Sequence, residues 1–374
     1  MSEHVLVTGG AGFVGSHLVD ALIARGHQVR IFDSLEPQVH GQDRQVPPYV
    51  NPCAELVRGS VTDAEAVARA LDGIDVVFHH AAAVGVGQSM YDIVHYCHAN
   101  TVGAAVLLEG IIKHRDRIRK VVVASSMSVY GEGAYRTPGG EVRSPQLRTR
   151  DRLERGEWEM RDGATGVSIE PIPTPETKPL QPTSVYAITK RDHEELFLTV
   201  GYAYRIPTVA LRYFNIYGER QALSNPYTGA AAIFSSRILS GQSPVIFEDG
   251  KQSRDFVHVA DVVQANLLAL ETHRADYQAL NVGTGRPTTV GQVADAILSA
   301  LGARHLAPTI LGKFREGDIR HCYADITLAR TLLGYEPGVS FGDGMRQLVE
   351  WVRGQRVVDR FDQAHRQLVE RGLA

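Results

Sequence analysis

Tyr186 and Lys190 stand four residues apart in Tyr-Ala-Ile-Thr-Lys. On a helix they share one face, and an ammonium beside a phenol favours the phenolate. A phenolate near neutral pH can take a proton from an alcohol while hydride leaves the same carbon. Tyr-x-x-x-Lys is common by chance, and as a surface pair it carries no chemistry, so it gains meaning only beside further groups. One such group is the run Ala124-Ser125-Ser126-Met127-Ser128-Val129-Tyr130-Gly131, which opens at the end of an apolar stretch that reads as a strand. Open parallel sheets bind ligands at the carboxyl ends of their strands. A serine there can hydrogen-bond the reacting oxygen; the alternative is a serine-rich turn.

A hydride acceptor is indicated near the amino end. Thr8-Gly9-Gly10-Ala11-Gly12-Phe13-Val14-Gly15 spaces Gly9, Gly12 and Gly15 three apart, with a strand before and a helix after. Glycines let the chain turn tightly and let backbone approach a pyrophosphate, and the helix start offers free N–H groups to the anion. A second strand ends at Asp33, about 20 residues on, where a carboxylate can bind the adenosine ribose hydroxyls. It would repel a 2′-phosphate, and Ser34 brings no cation, so the expected cofactor is NAD rather than NADP. An isolated aspartate could simply cap a turn, a reading that this offset makes weaker.

The elements that must position these groups follow from periodicity. Strands are expected at His4–Val7, Val29–Phe32, Leu56–Arg58, Val76–His79 and Val121–Ala124, with helices at Phe13–Arg25, Ala64–Leu71 and Val94–His114. A helix over Ser184–Arg205 and a strand over Thr208–Tyr213 resume the alternation, and helical stretches follow at Ala230–Leu239, Val259–Thr272, Val290–Leu301 and Gly342–Arg353. Val357–Leu373 reads as a charged surface helix. This alternation implies an α/β, Rossmann-type doubly wound parallel sheet with a smaller C-terminal mixed α/β region. We expect 1–216 to hold the dinucleotide and 217–374 the substrate, with 254–283 packing back on the first part. The segment 132–183 breaks the rhythm: it is rich in Gly, Pro, Arg and Glu and has too few apolar residues for a core of its own. Both its ends adjoin site motifs, so it is expected to be either a lid over the pocket or a surface or dimer-contact excursion.

Composition excludes other classes. The 374 residues are 44% hydrophobic and 22% charged with a formal net charge of -3, which points to neither nucleic acid nor a membrane surface as partner. The three cysteines are scattered, without metal-ligand spacing, so no metal site is expected and a reducing compartment is. No signal peptide is expected, because the amino end runs straight into an apolar strand, and no apolar run reaches the ~20 residues a membrane helix needs. The expected location is the cytoplasm.

Taken in order, the three motifs resemble the extended short-chain dehydrogenase/reductases, and within them the NAD-dependent sugar-nucleotide epimerases and dehydratases such as the UDP-galactose 4-epimerases. The resemblance spans nearly the whole chain. It implies that Ser126, Tyr186 and Lys190 are the catalytic set. It implies cofactor contacts at Gly9, Gly12, Phe13, Val14, Gly15 and Asp33, and at Ser60, Val61, Ala81, Ala82 and Ala83. Asn100 would support the site architecture, and Tyr213 would flank the nicotinamide. Substrate contacts are implied at Gly87, Ser128 and Asn215, at Phe247 stacking on the base, at Arg254 on the pyrophosphate, and at Arg315 and Asp318 on the nucleotide. The substrate would be a dTDP- or UDP-linked sugar.

Departures refine this. Met127 and Ser128 stand where the 4,6-dehydratases carry Asp-Glu, and neither is a strong acid or base, which disfavours dehydration. Ser60 replaces an acidic residue near the adenine, so Asp63 or the Val61 backbone would substitute. Ala230 stands where UDP-hexose epimerases use Asn. Asn225-Pro226-Tyr227-Thr228-Gly229 and the stretch from Pro173 to Glu176 look similar to bacterial dTDP-L-rhamnose 4-epimerase-like proteins. The implied activity is NAD-dependent epimerisation at C4 of a nucleotide-diphosphate sugar, through a 4-keto intermediate. The rivals are a UDP-hexose 4-epimerase, an NDP-4-ketosugar reductase and a non-catalytic dinucleotide sensor. The helices near 94–114 and 184–205 resemble the family's dimer-forming bundle, which implies a homodimer.

Overall fold

The computed structural model describes residues 2–374. Seven parallel strands form the main sheet: β1 His4–Thr8, β2 Gln28–Asp33, β3 Glu55–Arg58, β4 Val76–His79, β5 Lys120–Ser126, β6 Thr208–Tyr213 and β7 Gln278–Val282. Their spatial order is β7-β6-β5-β4-β1-β2-β3, so the chain reverses direction at β1, where a crevice opens between β1 and β4. Alternating residues feed the two faces. Val5 and Val7 pack with Leu18 and Leu22 of the helix Phe13–Ala24 on one side. Leu6 packs on the other with Val67, Leu107, Ile111 and Phe197, carried by helices Ala64–Leu71, Gly103–Lys113 and Val185–Tyr204. Because both faces are covered, β1, β4 and β6 are apolar almost throughout, as a buried parallel sheet requires. Leu18 is fully buried; truncating such a side chain to Ala typically costs about 2–5 kcal/mol.

The helix expected over Val94–His114 begins as Ile93–Tyr96, widens to a π-helical segment at Cys97–Val102 and continues as Gly103–Lys113. A π segment re-aims the side chains it carries, and Asn100 lies within it. The C-terminal region has its own core, in which Tyr217, Phe234, Ile297, Leu348 and Val352 meet. The stretch Val259–Glu271 packs on the helix Phe13–Ala24, and β7 follows it into the main sheet.

The segment 132–183 departs from expectation. It folds as an antiparallel sheet of Ala134–Arg136, Val142–Arg143 and Glu170–Ile172, around a small core of Tyr135, Met160 and Ile169. Its charged residues are not all solvated. Arg148 donates bidentately to Glu248 at 3.0 and 2.8 Å and also to the carbonyl of Asp318 at 3.0 Å. Arg320, fully buried, binds Glu248 and Asp249 as well as Glu159 of the insertion. Glu132 accepts the backbone N–H groups of Arg320 and His321, each at 2.7 Å. What reads as a hydrophilic loop is therefore docked on the C-terminal region through buried ion pairs. No helix among the described residues is long and apolar enough to cross a membrane.

Candidate active site

A continuous cavity of about 920 Å³ runs along the carboxyl ends of β1 to β6 and is roofed by the C-terminal region. At one end lies the glycine turn. Gly9 has φ +69°, and a Cβ there would sit 2.7 Å from the Ala81 nitrogen. A Cβ on Gly15 would sit 2.2 Å from the Gly9 carbonyl oxygen. Only glycine lets turn, β4 end and helix start come so close. Gly12 caps the helix Phe13–Ala24 with no side-chain bond, so its first N–H groups remain available to an anion. Phe13, Val14, Ser60, Val61, Ala81, Ala82 and Ala83 all line this end.

Asp33 also lines it, but its carboxylate is partly committed: Oδ2 accepts from Ala11 N at 3.0 Å and Oδ1 from Leu35 N at 2.9 Å. It fastens the glycine turn to β2 and caps its own turn, and each oxygen keeps a further lone pair for a ribose hydroxyl. Asp63 does not stand in for the acidic residue that Ser60 replaces. Its Oδ1 caps the helix Ala64–Leu71 by accepting from Glu65 N and Ala66 N, and it does not line the cavity. The fixed cradle, free helix start and acceptor at Asp33 fit a dinucleotide.

Asn100, expected among the cofactor-binding residues, does not line the cavity. Fully buried, it accepts from Ala83 N at 2.7 Å, donates to Ala83 O at 3.1 Å and donates to Thr189 Oγ1 at 2.9 Å. It pins the loop after β4 to the helix that carries Tyr186, which makes it a positioning residue.

The chemical groups converge in mid-cavity. Ser126 ends β5, and its Oγ accepts from Ser128 N at 3.2 Å and Ser128 Oγ at 2.9 Å. Ser184 caps the helix Val185–Tyr204 by accepting from Ala187 N, so Tyr186 and Lys190 enter on its first turns. Tyr186 N donates to Ser89 Oγ at 3.0 Å. Burial pushes the Tyr186 phenol up to about 12, against the pull of its hydrogen bond with Ser126. Burial alone brings Lys190 down to about 7. The expectation that Lys190 lowers the Tyr186 phenol is not met. The two share the helix face, but Lys190 Nζ donates to the Ala124 carbonyl at 2.9 Å, and desolvation dominates both groups. Tyr213, in register with Ser126 on the next strand, lines the cavity with its hydroxyl given to Asn266 at 2.9 Å. His80 stacks on it at 6.0 Å, and burial followed by the Lys190 charge brings His80 to about 3.

The far end gathers the expected substrate groups: Gly87, Ser128, Asn215, Phe247, Arg254, Arg315 and Asp318 all line the cavity. The Asn215 Oδ1 is buried without a partner, a group that a ligand can satisfy. Arg254 donates to the carbonyls of Ser253, Arg320 and Ile319. Phe247 does not present a free face as expected. The Arg315 guanidinium lies 4.7 Å over its ring, held by a 2.8 Å bond to Asp318, and His365 meets it edge-on at 5.5 Å. A base stacking on that face would have to displace Arg315.

Two features escape the sequence reading. The helix Phe361–Val369, expected to be a surface helix, turns Phe361, Ala364, His365 and Leu368 into the cavity; their i, i+3, i+4, i+7 spacing was the available signal. An amide bridge also spans the cavity: Gln38 Nε2 donates to Gln88 Oε1 at 2.8 Å and Asn225 Oδ1 at 3.2 Å, and Gln88 Nε2 donates back to Gln38 Oε1 at 3.0 Å. Of the insertion 132–183 only its last residue, Thr183, lines the cavity.

Comparison with known proteins places these features. Residues 5–151 and 164–283 match the profile of the NAD dependent epimerase/dehydratase family. The chain is 34% identical over 352 residues to a dTDP-L-rhamnose 4-epimerase of Burkholderia thailandensis, covering 94% of this chain and 95% of that one. It is 32% identical to a UDP-glucose 4-epimerase of Mycolicibacterium smegmatis, over 94% and 98% of the two chains. A crystal structure of UDP-glucose 4-epimerase from Thermotoga maritima with UDP-glucose superposes with a TM-score of 0.76 at 34% identity, covering 94% of this chain and 98% of that one.

Proposed function

Since the chain belongs to the NAD dependent epimerase/dehydratase family, we propose that it inverts C4 of a nucleotide-diphosphate sugar, with a dTDP-linked 6-deoxyhexose such as dTDP-L-rhamnose as substrate. The observation that carries this reading is the convergence of Ser126, Tyr186 and Lys190 midway along one cavity. The glycine turn and Asp33 lie at one end; Asn215, Arg254 and Arg315 lie at the other. NAD, when bound, supplies a hydride acceptor that can return the hydride, and in its oxidised form a positive charge that favours the phenolate.

The chain's own groups do the rest. Tyr186 takes the proton of the C4 hydroxyl; with NAD bound, loss of hydride from the same carbon would leave a C4 ketone. Ser126, linked to Ser128 and Tyr186, donates to the reacting oxygen. Lys190 at the Ala124 carbonyl is placed to hold the nicotinamide ribose. Asn215, Arg254 and Arg315 keep the diphosphate end while the keto sugar turns its other face, so binding energy remote from C4 retains the intermediate. Tyr186 restores the proton to the C4 oxygen; a bound NAD that gave its hydride back would end the cycle oxidised, so the reaction would be redox-neutral. Met127 and Ser128 next to Ser126 supply no acid–base pair for eliminating water.

The dTDP-L-rhamnose reading is supported by the relative of that name and by Ala230 in the cavity wall. A homodimer is supported by apolar residues left exposed on the two paired helical regions, Val94 at 81%, Ile188 at 47% and Val102 at 42%. The test is incubation with a panel of dTDP- and UDP-hexoses, products resolved by NMR, and release of the bound cofactor by denaturation. We expect C4 inversion of the dTDP-6-deoxyhexose with NAD co-purifying. Strict dependence on added NADPH, or a 4-keto-6-deoxy product accumulating from dTDP-glucose, would refute the reading.

A further inference from the structure

The C-terminal helix Phe361–Val369 closes the cavity on the side opposite the sheet. It is fastened at both ends. Arg237 Nη1 donates to Asp359 and Asp362, each at 3.1 Å, and its guanidinium lies 4.7 Å over the Phe361 ring. At the other end Gln367 Oε1 accepts from Tyr227 Oη at 2.8 Å and Tyr91 Oη at 3.2 Å, Arg371 lies 4.3 Å over the Tyr91 ring, and Glu316 N donates to Leu373 O at 3.1 Å. These bonds tie the helix to both halves of the molecule, so its inner face is a fixed wall.

That face runs from the nucleotide end to the reacting end. His365 meets Phe247, beside Arg315. Three residues on, the Leu368 methyls lie 3.5 and 3.7 Å from the place a Cβ on Gly87 would occupy. Gly87 belongs to the short turn Val86–Ser89, whose Ser89 hydroxyl accepts from Tyr186 N. Leu368 therefore lies against the turn that holds the start of the Tyr186 helix, on the side of the cavity where C6, carried on the carbon next to C4, would sit. Val84, Val86, Gly87, Ala364 and Leu368 are apolar members of the cavity wall. Beside them the Tyr96 hydroxyl donates to Gln88 Oε1 at 3.2 Å. The Tyr227 hydroxyl bonds Tyr91 and Gln367, and Arg371 Nη1 donates to Gln367 O at 2.8 Å.

We propose that this helix reads C6 of the sugar: Leu368, against the Val84–Gly87 turn, selects a methyl over a hydroxymethyl or a carboxylate. This rests on the reading of the cavity as a nucleotide-sugar 4-epimerase site, and it explains how a 6-deoxyhexose is told from the parent hexose. A hydroxyl or a carboxylate set against the Leu368 methyls gains no hydrogen bond from them and loses hydration, whereas a methyl fills the space.

The test separates the two claims. The NAD-loaded protein is titrated calorimetrically with dTDP-glucose and dTDP-6-deoxyglucose, which differ only at C6, and with UDP-galactose and its 6-deoxy counterpart UDP-fucose. Which nucleotide binds tests the underlying reading; the ratio within each pair tests the wall. Within the nucleotide that binds, the 6-deoxy sugar should bind about 10-fold tighter or better, the scale of discrimination one small group provides in a shaped pocket. Leu368→Gln should bring the ratio to one or invert it, with bound NAD unchanged. Should that variant fail to fold, Leu368→Ala opens the same space and should also flatten the ratio. A wild-type ratio of one, or a ratio that survives substitution at Leu368 in a folded, NAD-loaded protein, would overturn the proposal. Failure of every nucleotide sugar to bind would overturn both claims.

Discussion

Replacing Arg148 by Met tests what the insertion does. Arg148 is one of the insertion's buried charges, its side chain 1% exposed, and it holds Glu248 through two hydrogen bonds while a third reaches the carbonyl of Asp318. Glu248 is a non-glycine residue at φ +55°, a conformation that persists only where its surroundings impose it. It directly follows Phe247. The two arginines on its carboxylate thus fix the direction of the strand end that carries Phe247 and hold the segment around Asp318 beside it. Breaking a buried ion pair by removing one partner costs about 3–5 kcal/mol. Here the low end applies, because Arg320 still donates to Glu248 at 2.9 Å. For 374 residues unfolding with about 2.1 cal/mol/K each, roughly 3 kcal/mol lowers Tm by about 4 °C. The larger effect should be on substrate: KM for the nucleotide sugar rising about 10-fold with kcat nearly retained, since uniform binding is lost and the chemistry of Tyr186 is untouched. Differential scanning calorimetry and steady-state kinetics read both. The double variant Arg148→Met/Glu248→Gln, which removes the stranded charge, should recover much of the stability and little of the KM. An unchanged KM in a variant that melts at least 4 °C lower would refute the brace, because the insertion would then stabilise the fold without setting the site.

Two further outcomes follow from the catalytic groups. Tyr186→Phe removes one oxygen from the site and should cut turnover about 100- to 10,000-fold while NAD recovered from the denatured protein is unchanged; near wild-type turnover would remove Tyr186 from the proton transfer. Lys190 gives a pH signature. In the native protein it releases its proton near 7, and in the unfolded chain near the ordinary 10.5. Between those values the unfolded state holds the extra proton, so stability of the cofactor-free protein gains as pH rises from about 7 to 10. Lys190→Met should flatten that contribution, leaving the variant's advantage over wild type greatest at or below pH 7 and shrinking above it; equal pH dependence of the two melting curves would show that Lys190 is not neutral inside.

Much of this was legible because the main signals are local. The apolar run ending at Asp33, the helix capped by Ser184 and the spacing of Gly9, Gly12 and Gly15 each follow from one short stretch of chain. What escaped depends on pairing across the chain. Arg148 and Glu248 are 100 residues apart, and each alone reads as a solvated charge, so the insertion looked coreless. Leu368 and His365 read as one face of a surface helix because nothing in their spacing names the wall they complete. Phe247 was placed at the nucleotide end, but that Arg315 already covers its ring is a matter of three-dimensional packing. Strand β7 lies at the sheet edge against β6, more than 60 residues earlier in the chain, so its place is again a matter of pairing across the chain.

That late strand bears on how the chain is born. β7 pairs with β6 along its whole length, Gln278 with Val209 through Val282 with Tyr213. The roughly 65 residues between them emerge first, which at about 5–20 residues per second takes a ribosome some 3 to 13 s. For that interval β6 is an open sheet edge of valine, alanine and leucine, the kind of surface on which nascent chains aggregate. The dinucleotide half cannot finish its sheet until much of the other half has been made, so the two are committed to fold together, and a gene cut after residue 216 would release a protein with a raw edge rather than a free-standing domain.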